Sequence, residues 1–212
     1  MDIQQQRVYV VDDDQGMLDS TVWLLESVGL QAIPYTSGQA FLDNYSETLP
    51  ACVLLDIRMP GMGGLAVQDA LRERNSQLPI IFVSAHADVP IVVRAFRGGA
   101  VDFIEKPYNE QLLLDSVQRA LRLNQHPTAS GPQTAEVQDR LNQLTPRERD
   151  VLLPLVQGHS NREIAEQLGI SVKTVDLYRS RVMKRMQADS LPALVGMAIG
   201  TGLVAPFGLQ AL

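Results

Sequence analysis

At 212 residues, 45% hydrophobic and net charge −6, the chain has room for one large domain or two small ones and an ordinary globular composition. No run approaches the roughly 18 apolar residues needed to span a bilayer, and residues 1–6 lack the basic-then-apolar layout of a secretory leader. One cysteine, Cys52, cannot form an internal disulfide, so membrane-spanning and disulfide-framework classes are excluded and a cytoplasmic setting is expected.

In chain order, the first half alternates apolar runs with amphipathic stretches. Strands are expected near 7–11, 30–34, 51–55, 79–84 and 101–104, and helices near 15–28, 37–44, 64–75, 88–97 and 109–124. Five strand-then-helix repeats predict a parallel sheet covered on both faces. Right-handed crossovers then put every C-terminal strand end on one edge, where ligands of open α/β sheets bind. Asp12, Asp13, Asp56, Ser84 and Lys106 are expected to converge there. Trp23, with Leu24 and Leu25, fits a core-facing stripe of the first helix. Asp14 reads as an acid at that helix's N-terminus, Asp102 as a solvated residue, and Cys52 as strand packing.

The run Val8-Tyr9-Val10-Val11 ends in Asp12-Asp13-Asp14. Like charges about 4 Å apart repel by roughly 4 kcal/mol at an effective dielectric near 20, so a cation belongs among them. Hard oxygen ligands at strand ends suit Mg²⁺, and Mg²⁺ with Lys106 would leave three carboxylates about neutral. A carboxylate can also attack a phosphoryl group, with cations neutralising the transferred oxygens and the Ser84 hydroxyl donating to them.

Residues 124–134 are rich in turn formers and read as an irregular linker. Beyond Leu141 the pattern is helical. Thr145, Pro146 and Glu148 form one helix start, with Pro154 inside the helix and Gly158 ending it. Ser160 and Glu163 form a second start, ending at Gly169, and Ser171 caps a third helix to about Gln187. A fourth covers about 190–200, and the apolar tail after Gly202 has no clear assignment. Two short helices joined at Leu168-Gly169-Ile170-Ser171 make a helix-turn-helix. Charge is uneven: residues 1–125 net −7 and residues 126–212 net +1. The cations Lys173, Arg179, Arg181, Lys184 and Arg185 cluster around one acid, Asp176. That fits a phosphate-facing surface, although a solvated helix face carries similar charge. On a wheel of about 100° per residue from Lys173, Val175, Val182 and Met186 fall near 200°, 180° and 220°. Lys173, Leu177, Ser180 and Lys184 lie opposite them, within about 40° of zero. Lys173, Thr174 and Lys184 suit phosphates; Asp176, Leu177 and Ser180 suit base edges or thymine methyls; Arg162 and Arg181 complete the DNA-facing set.

Two resemblances follow from these motifs. Val11-Asp12-Asp13, the run Leu55-Asp56-Ile57-Arg58-Met59-Pro60-Gly61-Met62-Gly63-Gly64, Val83-Ser84-Ala85 and Asp102-Phe103-Ile104-Glu105-Lys106-Pro107 resemble the receiver domain of two-component response regulators. The run 144–152, Gly158-His159-Ser160-Asn161-Arg162-Glu163-Ile164-Ala165 and the run 170–179 resemble the LuxR-type helix-turn-helix. Tyr178 departs from the His common there, and Pro154 interrupts the first helix. The combination resembles the FixJ/NarL group of transcriptional regulators.

What the resemblance implies is specific. The fold is a flavodoxin-like (βα)5 doubly wound α/β receiver with a parallel five-stranded sheet, at 1–124. A linker at 125–140 leads to an all-α four-helix LuxR-type domain at 141–212. Asp56 is the phosphoacceptor, and Mg²⁺ is held by Asp13, Asp56 and the backbone carbonyl of Arg58, with Asp12 holding a metal-bound water. Lys106 pairs with the phosphoryl group, across a Lys106–Pro107 bond that is typically cis. Ser84 and Phe103 form the switch, the ring turning inward as the hydroxyl moves to the phosphoryl group. The implied partners are a sensor histidine kinase, double-stranded DNA, RNA polymerase and, on phosphorylation, a second copy of the chain; no membrane is involved. Two other classes share parts of this pattern: an Asp-nucleophile Mg²⁺-dependent phosphatase, and a constitutive DNA-binding protein whose receiver mediates protein contacts. The first commonly carries a second Asp two positions after the nucleophile, where this chain has Arg58.

Overall fold

Residues 6–46, 50–125 and 132–204 are described by the structure, a computed structural model. Part of the expected linker, 126–131, and most of the apolar tail, 205–212, lie outside them. By packing the chain divides into two units: residues 1–86 with 98–129, and 130–212 with 87–97.

In the first unit the β-branched and aromatic runs form strands β1 (Arg7–Val11), β2 (Gln31–Tyr35), β3 (Ala51–Leu55), β4 (Ile80–Ser84) and β5 (Asp102–Glu105). All pairings are parallel and the order is β2-β1-β3-β4-β5. Helices α1 (Gln15–Ser27), α2 (Gly38–Asn44), α3 (Gly64–Glu73), α4 (Val89–Arg97) and α5 (Glu110–Gln125) alternate with them along the chain, α4 being the one assigned to the second unit. Parallel strands buried on both faces read as continuous apolar runs, and β3 and β4 are buried at every residue. On one face Val8, Val10, Cys52, Leu54, Ile81, Val83 and Ile104 meet Leu18 and Leu25 of α1 and Leu113, Val117 and Leu121 of α5. On the other, the Tyr9 ring lies 5.5 Å from Phe41 of α2, and Val67 and Leu71 of α3 are buried. Cys52 is a free thiol fully enclosed in this core, and burial pushes its pKa up.

Two readings of single residues change and a third holds. Trp23 is not in the core: it is 71% exposed, whereas Leu24 and Leu25 are buried. The buried stripe of α1 runs Leu18, Thr21, Leu24, Leu25, and at 100° per residue Trp23 points almost directly away from it. Asp102 is not simply solvated. It accepts from the Ser116 hydroxyl (2.6 Å) and pairs with Arg119, both on α5. Asp14 is the N-cap of α1, accepting from the Gly16 and Met17 N–H groups.

The second unit holds α6 (Pro132–Asn142), α7 (Pro146–Gln157), α8 (Asn161–Leu168), α9 (Val172–Met186) and α10 (Leu191–Gly200). Capping boxes open α7 at Thr145 and α8 at Ser160, while Gly158 and Gly169 end these helices in the left-handed region. α7 continues through Pro154. The expected four helices are joined by a fifth, since α6 occupies most of the segment read as linker. Its turn-forming composition is misleading because Pro132 stands at the first helical position, where its missing N–H costs nothing. A Glu136–Arg140 pair (3.8 Å) also spans one turn. Arg140 then reaches the Met186 carbonyl at the end of α9 (3.3 Å). Leu141, Val151, Leu155, Ile164, Val175, Val182, Met186 and Leu194 form this unit's core.

Candidate functional sites: an acidic strand edge and a helix-turn-helix surface

The parallel register brings the predicted acidic residues together. The Asp56 N–H donates to the Val11 carbonyl (2.9 Å) and the Lys106 N–H to the Ser84 carbonyl (3.0 Å), which levels the ends of neighbouring strands. Asp12, Asp13 and Asp56 consequently offer carboxylate oxygens within 4.8 Å of one another, the one such potential metal-binding group among the described residues. Asp12 and Asp56 are buried and Asp13 is exposed, so the cluster has two fixed walls and one open side. Lys106 Nζ lies 2.6 Å from Asp12 Oδ2 and 3.8 Å from Asp56 Oδ1. Asp12 also accepts from the Asp14 N–H (3.0 Å). The Lys106–Pro107 peptide is cis.

Burial pushes the Asp56 carboxyl above the usual carboxylate range. Asp12 adds to the rise, while Lys106, the Ser84 hydroxyl and the Ile57 N–H act against it. The site therefore carries more negative charge than its own lysine offsets. This is the donor chemistry a small hard divalent cation takes, with an open side for its waters. Around it, Gly64 is required by space. A Cβ there would sit 2.2 Å from the Asp56 carbonyl oxygen, because α3 starts directly against the loop after β3. Arg58 lies in that loop with its side chain exposed.

Ser84 is 1% exposed, and its Oγ accepts from the His86 N–H (3.3 Å). Phe103 is 2% exposed, its ring 6.2 Å from that of Phe82.

In the second unit α9 divides as its wheel predicts. Val175, Val182 and Met186 are fully buried, and Lys173, Asp176, Leu177, Ser180, Arg181 and Lys184 are exposed. Leu177 leaves half its surface to solvent, at 50%. Several of the expected DNA-facing groups are already engaged. Thr174 shares a hydrogen bond with Ser171 (2.8 Å), Arg162 pairs with Glu166 (3.2 Å), and the Arg181 guanidinium stands 5.9 Å over the Tyr178 ring. Asp176 accepts from the Asn161 amide at 2.5 Å. Asn161 was not singled out from the sequence, and Arg179 stood there only as one of a cluster of cations. Asn161 reads there as filler in a capping motif, and only the fold of α8 against α9 brings the two together. Glu148, fully buried within the α7 capping box, also meets Arg185 of α9 at 3.2 Å.

A five-stranded 2-1-3-4-5 parallel sheet with this acidic edge, followed by a helix-turn-helix unit, defines a response regulator with a DNA-binding output domain. Comparison with known proteins agrees. Residues 8–118 match the response regulator receiver domain and residues 142–198 match the bacterial regulatory proteins of the luxR family. Transcriptional regulatory protein FixJ of Azorhizobium caulinodans is 41% identical over 199 residues, 94% of each chain. Response regulator protein TmoT of Ectopseudomonas mendocina is 39% identical, covering 92% of this chain and 89% of that protein. Among solved structures, full-length FixJ from B. japonicum matches with a TM-score of 0.54 at 38% identity, over 93% of this chain and 98% of that one. The response regulator StyR matches with a TM-score of 0.55 at 35% identity, over 92% and 98%. The chain belongs to the FixJ-like two-component response regulators, transcriptional regulators with a receiver and a LuxR-type DNA-binding domain. Those domains imply a kinase and DNA as partners. Among the described residues no helix is long and apolar enough to cross a membrane.

Proposed function

We propose that Asp56 is the phosphoacceptor through which a sensor histidine kinase controls DNA binding by this chain. The observation that carries the reading is the convergence of Asp12, Asp13, Asp56, Ser84 and Lys106 at the C-terminal edge of the sheet. A carboxylate oxygen of Asp56 attacks the phosphorus, the bond to the donor's imidazole nitrogen breaks, and the leaving imidazole takes up a proton. Lys106, within 3.8 Å of Asp56, neutralises the incoming oxygens, and the Ser84 hydroxyl donates a hydrogen bond to one of them. Asp13, Asp56 and the Arg58 carbonyl would hold Mg²⁺, with Asp12 beside them. When bound it supplies the charge that draws a phosphoryl dianion to an acidic edge.

The added charge biases Ser84 and Phe103 and with them the receiver's two-state equilibrium. Dimerisation then presents two copies of α9 to paired half-sites in double-stranded DNA, and bound RNA polymerase is activated. Arg162, Lys173, Thr174, Arg181 and Lys184 meet the backbone; Asp176, Leu177 and Ser180 meet base edges. This is regulation in the cytoplasm rather than enzymatic turnover. Arg58 occupies the position where an Asp-nucleophile phosphatase carries its general acid, so chemistry is confined to gain and slow loss of the phosphoryl group on Asp56.

Incubation with acetyl phosphate and Mg²⁺ tests the reading. Intact mass should rise by one phosphoryl group in the wild type and not in Asp56→Asn, and only the wild type should gain DNA affinity. Equal labelling and equal DNA binding of Asp56→Asn would sink it.

A further inference from the structure

Asn161 is the first residue of α8, and the Ser160 capping box already satisfies that helix start. The Asn161 side chain is thus available for something else. Its Nδ2 donates to Asp176 Oδ1 at 2.5 Å, and its Oδ1 accepts from Arg179 Nη1 at 3.4 Å. Asp176 and Arg179 are three apart on α9, so a single amide from the supporting helix stands between an acid and a base of the recognition helix.

An amide has one donating and one accepting end, so both bonds are made in one orientation only. Without it, an Asp and an Arg at this spacing pair with each other. The carboxylate would then be drawn down onto the helix and neutralised. With the amide in place Asp176 stays exposed, and a carboxylate with one oxygen engaged keeps accepting capacity on the other. In the major groove the base edge that suits a carboxylate acceptor is the N4 amino group of cytosine.

We propose that Asn161 is a positioning residue for base recognition: it separates Asp176 from Arg179 and aims Asp176 Oδ2 at a cytosine in each half-site. The inference rests on the DNA-reading role of α9 proposed above. It adds a residue outside the recognition helix that sets which base the helix reads.

The test is selection of DNA from a random library by the full-length chain treated with acetyl phosphate, followed by affinity measurements on single-base variants of the selected site. Wild type should require cytosine at one position per half-site, with about tenfold loss for other bases. Asn161→Ala and Asn161→Asp should both flatten that position to within about twofold while leaving the other positions and the salt slope unchanged. Asn161→Asp keeps a good helix-start residue but sets a like charge against Asp176, so it controls for folding. Asp176→Ala should flatten the same position. An unchanged cytosine requirement in Asn161→Ala, or a uniform loss at every position, overturns the proposal while leaving DNA reading intact. Failure of the wild type to select any sequence would overturn both.

Discussion

Lys106 Nζ is 2.6 Å from Asp12 and 3.8 Å from Asp56. This cation is therefore held by the carboxylate beside the proposed phosphoacceptor, within reach of Asp56 but not committed to it. Lys106→Ala should leave two buried carboxylates uncompensated and cost about 3 kcal/mol in EDTA, with Mg²⁺ restoring part of the loss. Denaturant melts with and without Mg²⁺ measure this, and identical melting in EDTA would mean that water already compensates the charges.

Asp56→Asn should stabilise the fold in EDTA. Burial raises the Asp56 pKa first, with Asp12 adding to it. The contribution of an acid raised in this way is present below its unfolded pKa and is lost as pH rises through the raised folded value. The variant escapes that loss, so its advantage should be visible at pH 7 and vanish below about pH 4. Melting temperatures of the two proteins across that range decide the matter.

Glu148 should behave oppositely. Burial pushes its carboxyl up, but the Thr145 N–H and hydroxyl, with Arg185 and Arg181, outweigh burial and hold it below the usual range. Its contribution is present above the unfolded pKa and is lost as pH falls through the depressed folded one. Glu148→Gln should cost about 1 kcal/mol or more near pH 7, and the difference from wild type should shrink on acidification. A constant difference across pH would assign the effect to packing alone.

Gly64→Ala should abolish phosphorylation by acetyl phosphate, since the new Cβ would displace the Asp56 backbone, 2.2 Å away. Gly61→Ala, at φ +75° but with no atom within 4 Å of its Cβ position, should cost only about 1 kcal/mol of strain and keep its label. Comparable loss in both variants would make loop conformation, not the close approach of α3, the controlling factor.

Lys184→Ala should weaken DNA binding and reduce the slope of log affinity against log salt by about 1. An unchanged slope would remove Lys184 from the phosphate contacts.

Much of this was legible in the residues because two periods are strong here. Continuous apolar runs marked the parallel strands, and the polar residues at their ends marked the edge where Asp12, Asp13, Asp56, Ser84 and Lys106 meet. Trp23 misled because an aromatic beside two leucines looks like core, and only the angular position on α1 separates them. α6 was hidden by composition, since proline and threonine mark loops and helix starts alike. Asn161 carries no signal along the chain at all. Its partners are 15 and 18 residues away, on another helix, and only packing selects them.

Pro34 lies in β2, an outermost strand of the sheet, opposite Val10. Gln31 donates its N–H to Gln6 and Tyr35 accepts from Asp12, so odd-numbered residues of β2 face β1 and Pro34 faces outward. The proline forfeits no ladder bond, and it deletes a donor from the outer row of β2, one of the sheet's two edges, where a stray strand could pair. A regulator that must change partners without polymerising thus has this margin blunted against strand addition.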